Sequence, residues 1–175
     1  KEESEKKDVI DFVIDIAAQK GSAIEKVLPE KNCLSISADT IVVLQNRIYG
    51  KPKDYNEAFE FLKNFSGKSH RVITGVCLRL TDKKKRLLKE STFHAETIVH
   101  FNNISRKDIE DYLESASFLD KAGAYGIQEA GMLFINKVEG SVSNVYGLPI
   151  DMVLDKIKNM LDEYNENGFR LREIF

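Results

Sequence analysis

A carboxylate stands inside the most strand-like run of this chain, and that conflict limits what the run can belong to. Ile36, Ala38, Ile41, Val42, Val43 and Leu44 are the apolar and β-branched residues of a buried strand. Asp39 interrupts them, and a buried carboxylate is costly unless something pairs with it. The polar break Gln45-Asn46-Arg47 lets the chain turn back. A hairpin centred near Asn46 is expected to lay Gly50, Lys51 and Pro52 alongside Ser37, Ala38 and Asp39, with Lys51 in reach of Asp39. On spacing, two readings of that pair stand open: a structural ion pair at a sheet edge, or a catalytic or metal-binding carboxylate beside a phosphate-binding lysine.

The rest of the chain alternates helical and strand patterns. Residues 8–20 carry Val9, Phe12, Val13, Ile16 and Ala17 at helical spacing, which predicts an amphipathic helix ending at Gly21. Asp54 and Glu57 have capping-box spacing before a short helix with Tyr55, Ala58, Phe59 and Leu62 on one face, stopping near Ser66-Gly67. Alternation from His70 to Leu80 predicts a strand, and residues 86–101 return antiparallel after the solvated turn Asp82-Lys83-Lys84-Lys85. Ser105 and Asp108 cap a third helix bearing Ile109, Tyr112 and Leu113. Residues 120–128 are small and Gly-rich, residues 132–138 read as a strand and residues 140–149 as a loop. A last amphipathic helix carries Ile150, Val153, Leu154, Ile157, Met160 and Leu161, and residues 163–175 show no strong period. That tail is expected to fray or to dock on a partner.

Composition excludes several classes. A chain of 175 residues suits one domain, and no apolar run approaches the ~20 residues of a membrane span. With 26 basic against 28 acidic residues, the chain offers no long-range attraction to a nucleic-acid backbone. Cys33 and Cys77 lack metal or redox spacing and read as reduced core residues of a cytoplasmic protein. Gly67-Lys68-Ser69 is not a Walker loop, because the upstream Gly is missing and a strand follows instead of a helix. His70 reads as a hydrogen-bonded structural histidine at the strand start, with general base as the alternative. Gln128 reads equally as a surface residue of a turn or as a donor and acceptor for a base edge. By composition, Lys20 is an ordinary exposed helix residue.

Four ordered motifs stand out: Ala38-Asp39-Thr40 followed by Gly50-Lys51-Pro52; Ser66-Gly67-Lys68-Ser69-His70-Arg71-Val72-Ile73-Thr74-Gly75-Val76; Asp120-Lys121-Ala122-Gly123-Ala124-Tyr125-Gly126-Ile127-Gln128; and Gly140-Ser141-Val142-Ser143-Asn144-Val145-Tyr146-Gly147-Leu148-Pro149. Together they resemble the Maf (septum formation inhibitor-like) family of nucleotide pyrophosphatases. Ile16-Ala17-Ala18-Gln19-Lys20-Gly21 is a weaker fifth.

The resemblance implies an α/β fold, a long mixed twisted sheet flanked by helices in two lobes around a central cleft, as in Maf/ITPase-like proteins. It further implies hydrolysis of a nucleoside triphosphate to monophosphate and pyrophosphate, with Mg or Mn as divalent metal. Asp39 would then hold the metal or activate the water, Lys20 and Lys51 clamp phosphates, and Thr40 and Gln128 recognise substrate. Ala-Asp-Thr with Tyr-Gly-Ile-Gln resembles the dTTP/UTP branch. The expected partner is a nucleotide, not nucleic acid or a membrane, with homodimerisation left open. The family's opening Ser-x-Ser-Pro-Arg-Arg loop and a metal-assisting Glu are not found, so residues 1–175 are expected to form a single domain lacking its first strand and phosphate loop. The alternative is a non-catalytic nucleotide-binding regulator or interaction module linked to cell division.

Overall fold

The computed structural model describes residues 2–166. A five-stranded sheet in the order β2-β1-β3-β4-β5 is its frame, built from β1 (Cys33–Leu44), β2 (Arg47–Tyr49), β3 (Ser69–Thr81), β4 (Leu87–Phe101) and β5 (Ile135–Glu139). Its helices are α1 (Glu2–Ile24), α2 (Tyr55–Phe65), α3 (Arg106–Ser115), α4 (Ile127–Phe134), the single turn α5 (Val142–Val145) and α6 (Ile150–Glu166). The α/β fold with helices flanking a sheet is as expected. Where the resemblance implies a mixed sheet, every pairing among the described residues is antiparallel.

Period-two alternation divides the core between the two sheet faces. Ile41, Val43 and Ile73 meet Val13 of α1 on one face. The opposite face carries two clusters. Val42, Leu44 and Val72 pack with α2, α3 and Phe134, whereas Val76, Leu78, Leu80 and Phe93 pack with Val153 and Met160 of α6. Between these clusters lie the buried polar side chains Thr74, Thr97 and Asn144, so the division into two lobes is a seam in the core.

Most of the helix caps and turns follow the local sequence signals. Asp54 Oδ1 accepts from Glu57 N at 2.8 Å, and Ser105 and Asp108 form a reciprocal capping box. The turn of Gln45 and Asn46 has positive φ at both residues (49° and 63°), the condition for a type I′ hairpin.

Five expectations are corrected. First, α1 runs through Gly21 to Ile24, because Gly21 marks a close approach to the sheet: a Cβ there would lie 2.8 Å from Ser37 Oγ. Second, the β1–β2 pairing ends at Tyr49 opposite Val42, so Gly50, Lys51 and Pro52 never lie alongside Ser37, Ala38 and Asp39. The Gly50 carbonyl instead accepts from Gly123 N at 3.0 Å, which draws the chain off the sheet. Third, the core face of α2 is Ala58, Phe61, Leu62 and Phe65, leaving Tyr55 exposed. Fourth, the strand expected over 132–138 begins at Ile135; Phe134 closes α4 and packs on Tyr112 at 5.0 Å. A short apolar run does not distinguish helix from strand by period. Fifth, Ile150 and Leu154 of α6 are exposed, while Val153 and Met160 are buried. The expectation for the tail lies, from residue 167 on, outside the described residues.

Candidate active site

Because β2 stops at Tyr49, Ala38, Asp39 and Thr40 lie on a stretch of β1 that has β3 on one side and no described strand on the other. A cavity of about 420 Å³ opens there. All five residues singled out in the sequence, Lys20, Asp39, Thr40, Lys51 and Gln128, line it.

Asp39 sits opposite Gly75 in the β1–β3 register. The backbone of α1 rests directly on Gly75, where a Cβ would overlap the carbonyl of Val13. Helical side chains lean toward the helix N-terminus, and Lys20 accordingly reaches back over that contact. Its ammonium pairs with Asp39 Oδ1 and donates to the Ala38 carbonyl at 3.3 Å. The lysine that neutralises Asp39 is thus Lys20, not Lys51 as the hairpin argument has it. Lys51 lines the same cavity from the segment that follows β2, with no ion pair among the described residues.

Thr40 shares a hydrogen bond with Thr74 (Oγ1 to Oγ1, 2.9 Å), and Thr74 Oγ1 donates to the Asn144 carbonyl at 3.4 Å. Asn144 anchors the 140–149 loop: its Nδ2 donates to the Val72 carbonyl at 3.0 Å, to Thr97 Oγ1 at 3.1 Å and to the Ala95 carbonyl at 3.4 Å. Neither Asn144 nor Thr74 is evident in the sequence as more than a motif letter, yet they seat the Val145-Tyr146-Gly147 wall against Thr40.

The Gly-rich wall over residues 120–128 is pinned at three points. Gly123 N donates to the Gly50 carbonyl, Gly126 N donates to Tyr112 Oη at 3.1 Å, and Tyr125 Oη shares a 2.6 Å hydrogen bond with His70 Nε2. Gly123 has φ of 71°, and a Cβ there would lie 3.0 Å from Val42 Cγ2. His70 does not line the cavity. Its ring stacks on Phe65 with centroids 4.5 Å apart, and burial, followed by the neighbouring His100, lowers its pKa to about 3. Burial, then Tyr112, pushes the Tyr125 phenol upward, so both partners are neutral near pH 7. His70 is the hydrogen-bonded histidine of the strand start, facing a core of aromatic rings.

Gln128 stands in the first turn of α4, exposed at the cavity. Asp120 and Lys121, within the same motif, also line it and pair with each other at 3.2 Å. The hydrogen bond from Lys121 holds the Asp120 carboxyl below its ordinary range.

A recess that combines ammonium groups, a carboxylate, hydroxyls and a primary amide suits a phosphorylated small molecule with a hydrogen-bonding head. The chain belongs to the Maf-like protein family, whose family model matches residues 1–160. It is 42% identical over 149 residues to a dTTP/UTP pyrophosphatase of Thermosipho africanus (strain TCF52B), covering 84% of this chain and 75% of that protein. Similar relatives carrying the same name occur in Latilactobacillus sakei subsp. sakei (strain 23K), 42% identical over 85% of this chain and 78% of that protein, and in Clostridium botulinum (strain Alaska E43 / Type E3), 42% identical over 90% and 79%.

Proposed function

We propose that this chain is a nucleoside triphosphate pyrophosphatase that converts dTTP- and UTP-type nucleotides to the monophosphate and pyrophosphate. The observation that carries the reading is the convergence of Lys20, Asp39, Thr40, Lys51 and Gln128 on one cavity, in a family whose similar members bear that name.

Hydrolysis joins a water oxygen to the α-phosphorus and breaks its bond to the bridging oxygen, which leaves with the electron pair as part of pyrophosphate. The water's proton goes to a base. Lys20 and Lys51 offer charge-assisted hydrogen bonds to the phosphate oxygens, where negative charge is spread in the transition state. As Lys20 turns from Asp39 toward phosphate, the Asp39 carboxylate is released to accept the water's proton. Gln128 presents a donor and an acceptor to the edge of a pyrimidine, and the Thr40 hydroxyl, held by Thr74, fixes the substrate against β1.

Asp39 also suits a hard divalent cation of the Mg or Mn kind. No group of three or more His, Cys, Asp or Glu residues capable of holding a metal occurs among the described residues. A single carboxylate completed by substrate phosphates is a common arrangement for such an ion. When bound, the cation would neutralise phosphate charge. The free thiols Cys33 and Cys77 support a cytoplasmic setting, and no described helix is long and apolar enough to cross a membrane.

Pyrophosphate release from dTTP, UTP, dATP and GTP, with Mg²⁺ or Mn²⁺, tests the reading. The pyrimidine nucleotides are expected to turn over faster, and Asp39→Asn to lose at least about two orders of magnitude while still binding nucleotide. Turnover of Asp39→Asn within about threefold of wild type makes Asp39 a structural residue and removes the centre of the proposal.

A further inference from the structure

We propose that Arg79, remote from the cavity, is a positioning residue that locks the C-terminal end of α1 to the sheet and thereby holds Lys20 in place. The proposal rests on the phosphate-binding role given to Lys20 above.

Arg79 projects from β3, which packs against α1. It is a guanidinium almost removed from solvent, with only 9% of its side chain exposed. One arm pairs with Glu25, in the 3₁₀ turn that follows α1, and the other pairs with Glu90 of β4 and donates to Ser22 Oγ at 3.0 Å. Two of these three partners are on the helix end and its continuation; the third is on the neighbouring strand. A planar guanidinium can bridge the two sides with fixed geometry, which a lysine ammonium cannot match.

Contacts just upstream leave the helix little room. Ser37 Oγ donates to the Ala17 carbonyl at 2.7 Å. A Cβ on Gly21 would come within 3.0 Å of Arg79 Cδ and 3.3 Å of Cys77 Sγ. Lys20 lies between Ala17 and the Ser22–Glu25 clamp, with half of its side chain exposed and one carboxylate to hold it. Loss of the clamp frees the helix end, and Lys20, whose ammonium is set by where that end lies, moves with it. The charges facing Arg79 from the packed elements are Glu25 and Glu90, so its removal also leaves two carboxylates without their cation, a change that destabilises by a route separate from Lys20.

Two measurements on Arg79→Met separate these effects. The first is the acetylation rate of the Lys20 amine in the unliganded protein, read by peptide mass spectrometry with exposed Lys63 as internal control. A several-fold rise at Lys20 with Lys63 unchanged is expected; an unchanged Lys20 rate overturns the proposal. The second is a double-mutant cycle on kcat/KM with Lys20→Met. Arg79→Met alone is expected to lose about tenfold, and to add less than about twofold once Lys20 is gone, because coupled residues are not additive. Full multiplication of the two losses shows that Arg79 acts by a route separate from Lys20 and overturns the positioning role, whereas a loss of less than about twofold in Lys20→Met, with Lys20 more reactive in the first assay, leaves the anchoring intact and removes the phosphate role of Lys20 instead. If Arg79→Met does not fold, Glu25→Gln, which weakens one arm and keeps the shape, takes its place in both assays with the same expected directions.

Discussion

Acid should destabilise this protein well before its carboxylates protonate, and His70 is the cause. In the folded chain its pKa is about 3 against an ordinary 6.5, so the unfolded state takes up a proton that the native state refuses across that interval. A native pKa below the unfolded one in a basic group makes stability rise with pH through the window and level off above it. The slope approaches about 1.4 kcal/mol per pH unit, and integration from pH 8 to pH 5 gives about 2 kcal/mol. Carboxylates with lowered pKa, such as Asp82, Asp108 and Glu139, act mainly at lower pH. The assay is urea unfolding at half-unit pH steps on wild type and His70→Gln. Glutamine places a nitrogen near His70 Nε2 and retains a partner for Tyr125 without titrating. The variant is expected to start less stable, having lost the stack on Phe65, and to show a shallower dependence between pH 5 and pH 6.5. Parallel curves for the two proteins would refute the argument, because His94 and His100 are common to both.

Gln128→Ala is expected to change the ratio of pyrimidine to purine kcat/KM by the equivalent of about 1–3 kcal/mol, with little effect on the cation requirement; an unchanged ratio takes Gln128 out of substrate recognition. Asn144→Asp, although nearly isosteric, should destabilise more than Asn144→Ala, since its carboxylate would face the Val72 and Ala95 carbonyls that the amide now serves. Urea midpoints rank the two, and the reverse order shows that Asn144 does not act as a donor there.

Local chemistry was legible in the sequence, and long-range geometry much less so. The caps at Asp54 and Ser105, the turn after Leu44 and the β3–β4 hairpin each rest on residues a few positions apart, and each is found. Asp39 stood out because a carboxylate in an apolar run is anomalous on its own. Its partner was not readable: a lysine on the same hairpin is the nearer guess, whereas Lys20 arrives from α1, a helix distant along the chain that packs on the face of β1 bearing Ile41 and Val43. Arg79 was invisible because an arginine alternating along a strand looks like any solvent-facing residue until Glu25 and Glu90 close over it. Asn144 likewise gains its meaning only when a loop distant in sequence folds against the paired strands β3 and β4.

The glycine inside α1 bears on how this protein can be engineered. Helix-interior glycines are standard targets for stabilisation, since alanine in their place commonly gains about 0.4–1 kcal/mol by narrowing the unfolded ensemble. At Gly21 the added methyl would be wedged against Ser37, Arg79 and Cys77. It would act as a shim between helix and sheet, and whatever height it adds is passed on to the ammonium of the preceding residue. A substitution that improves the helix as a helix therefore spoils it as a bracket, and thermostabilised variants of this protein should be sought with position 21 left untouched.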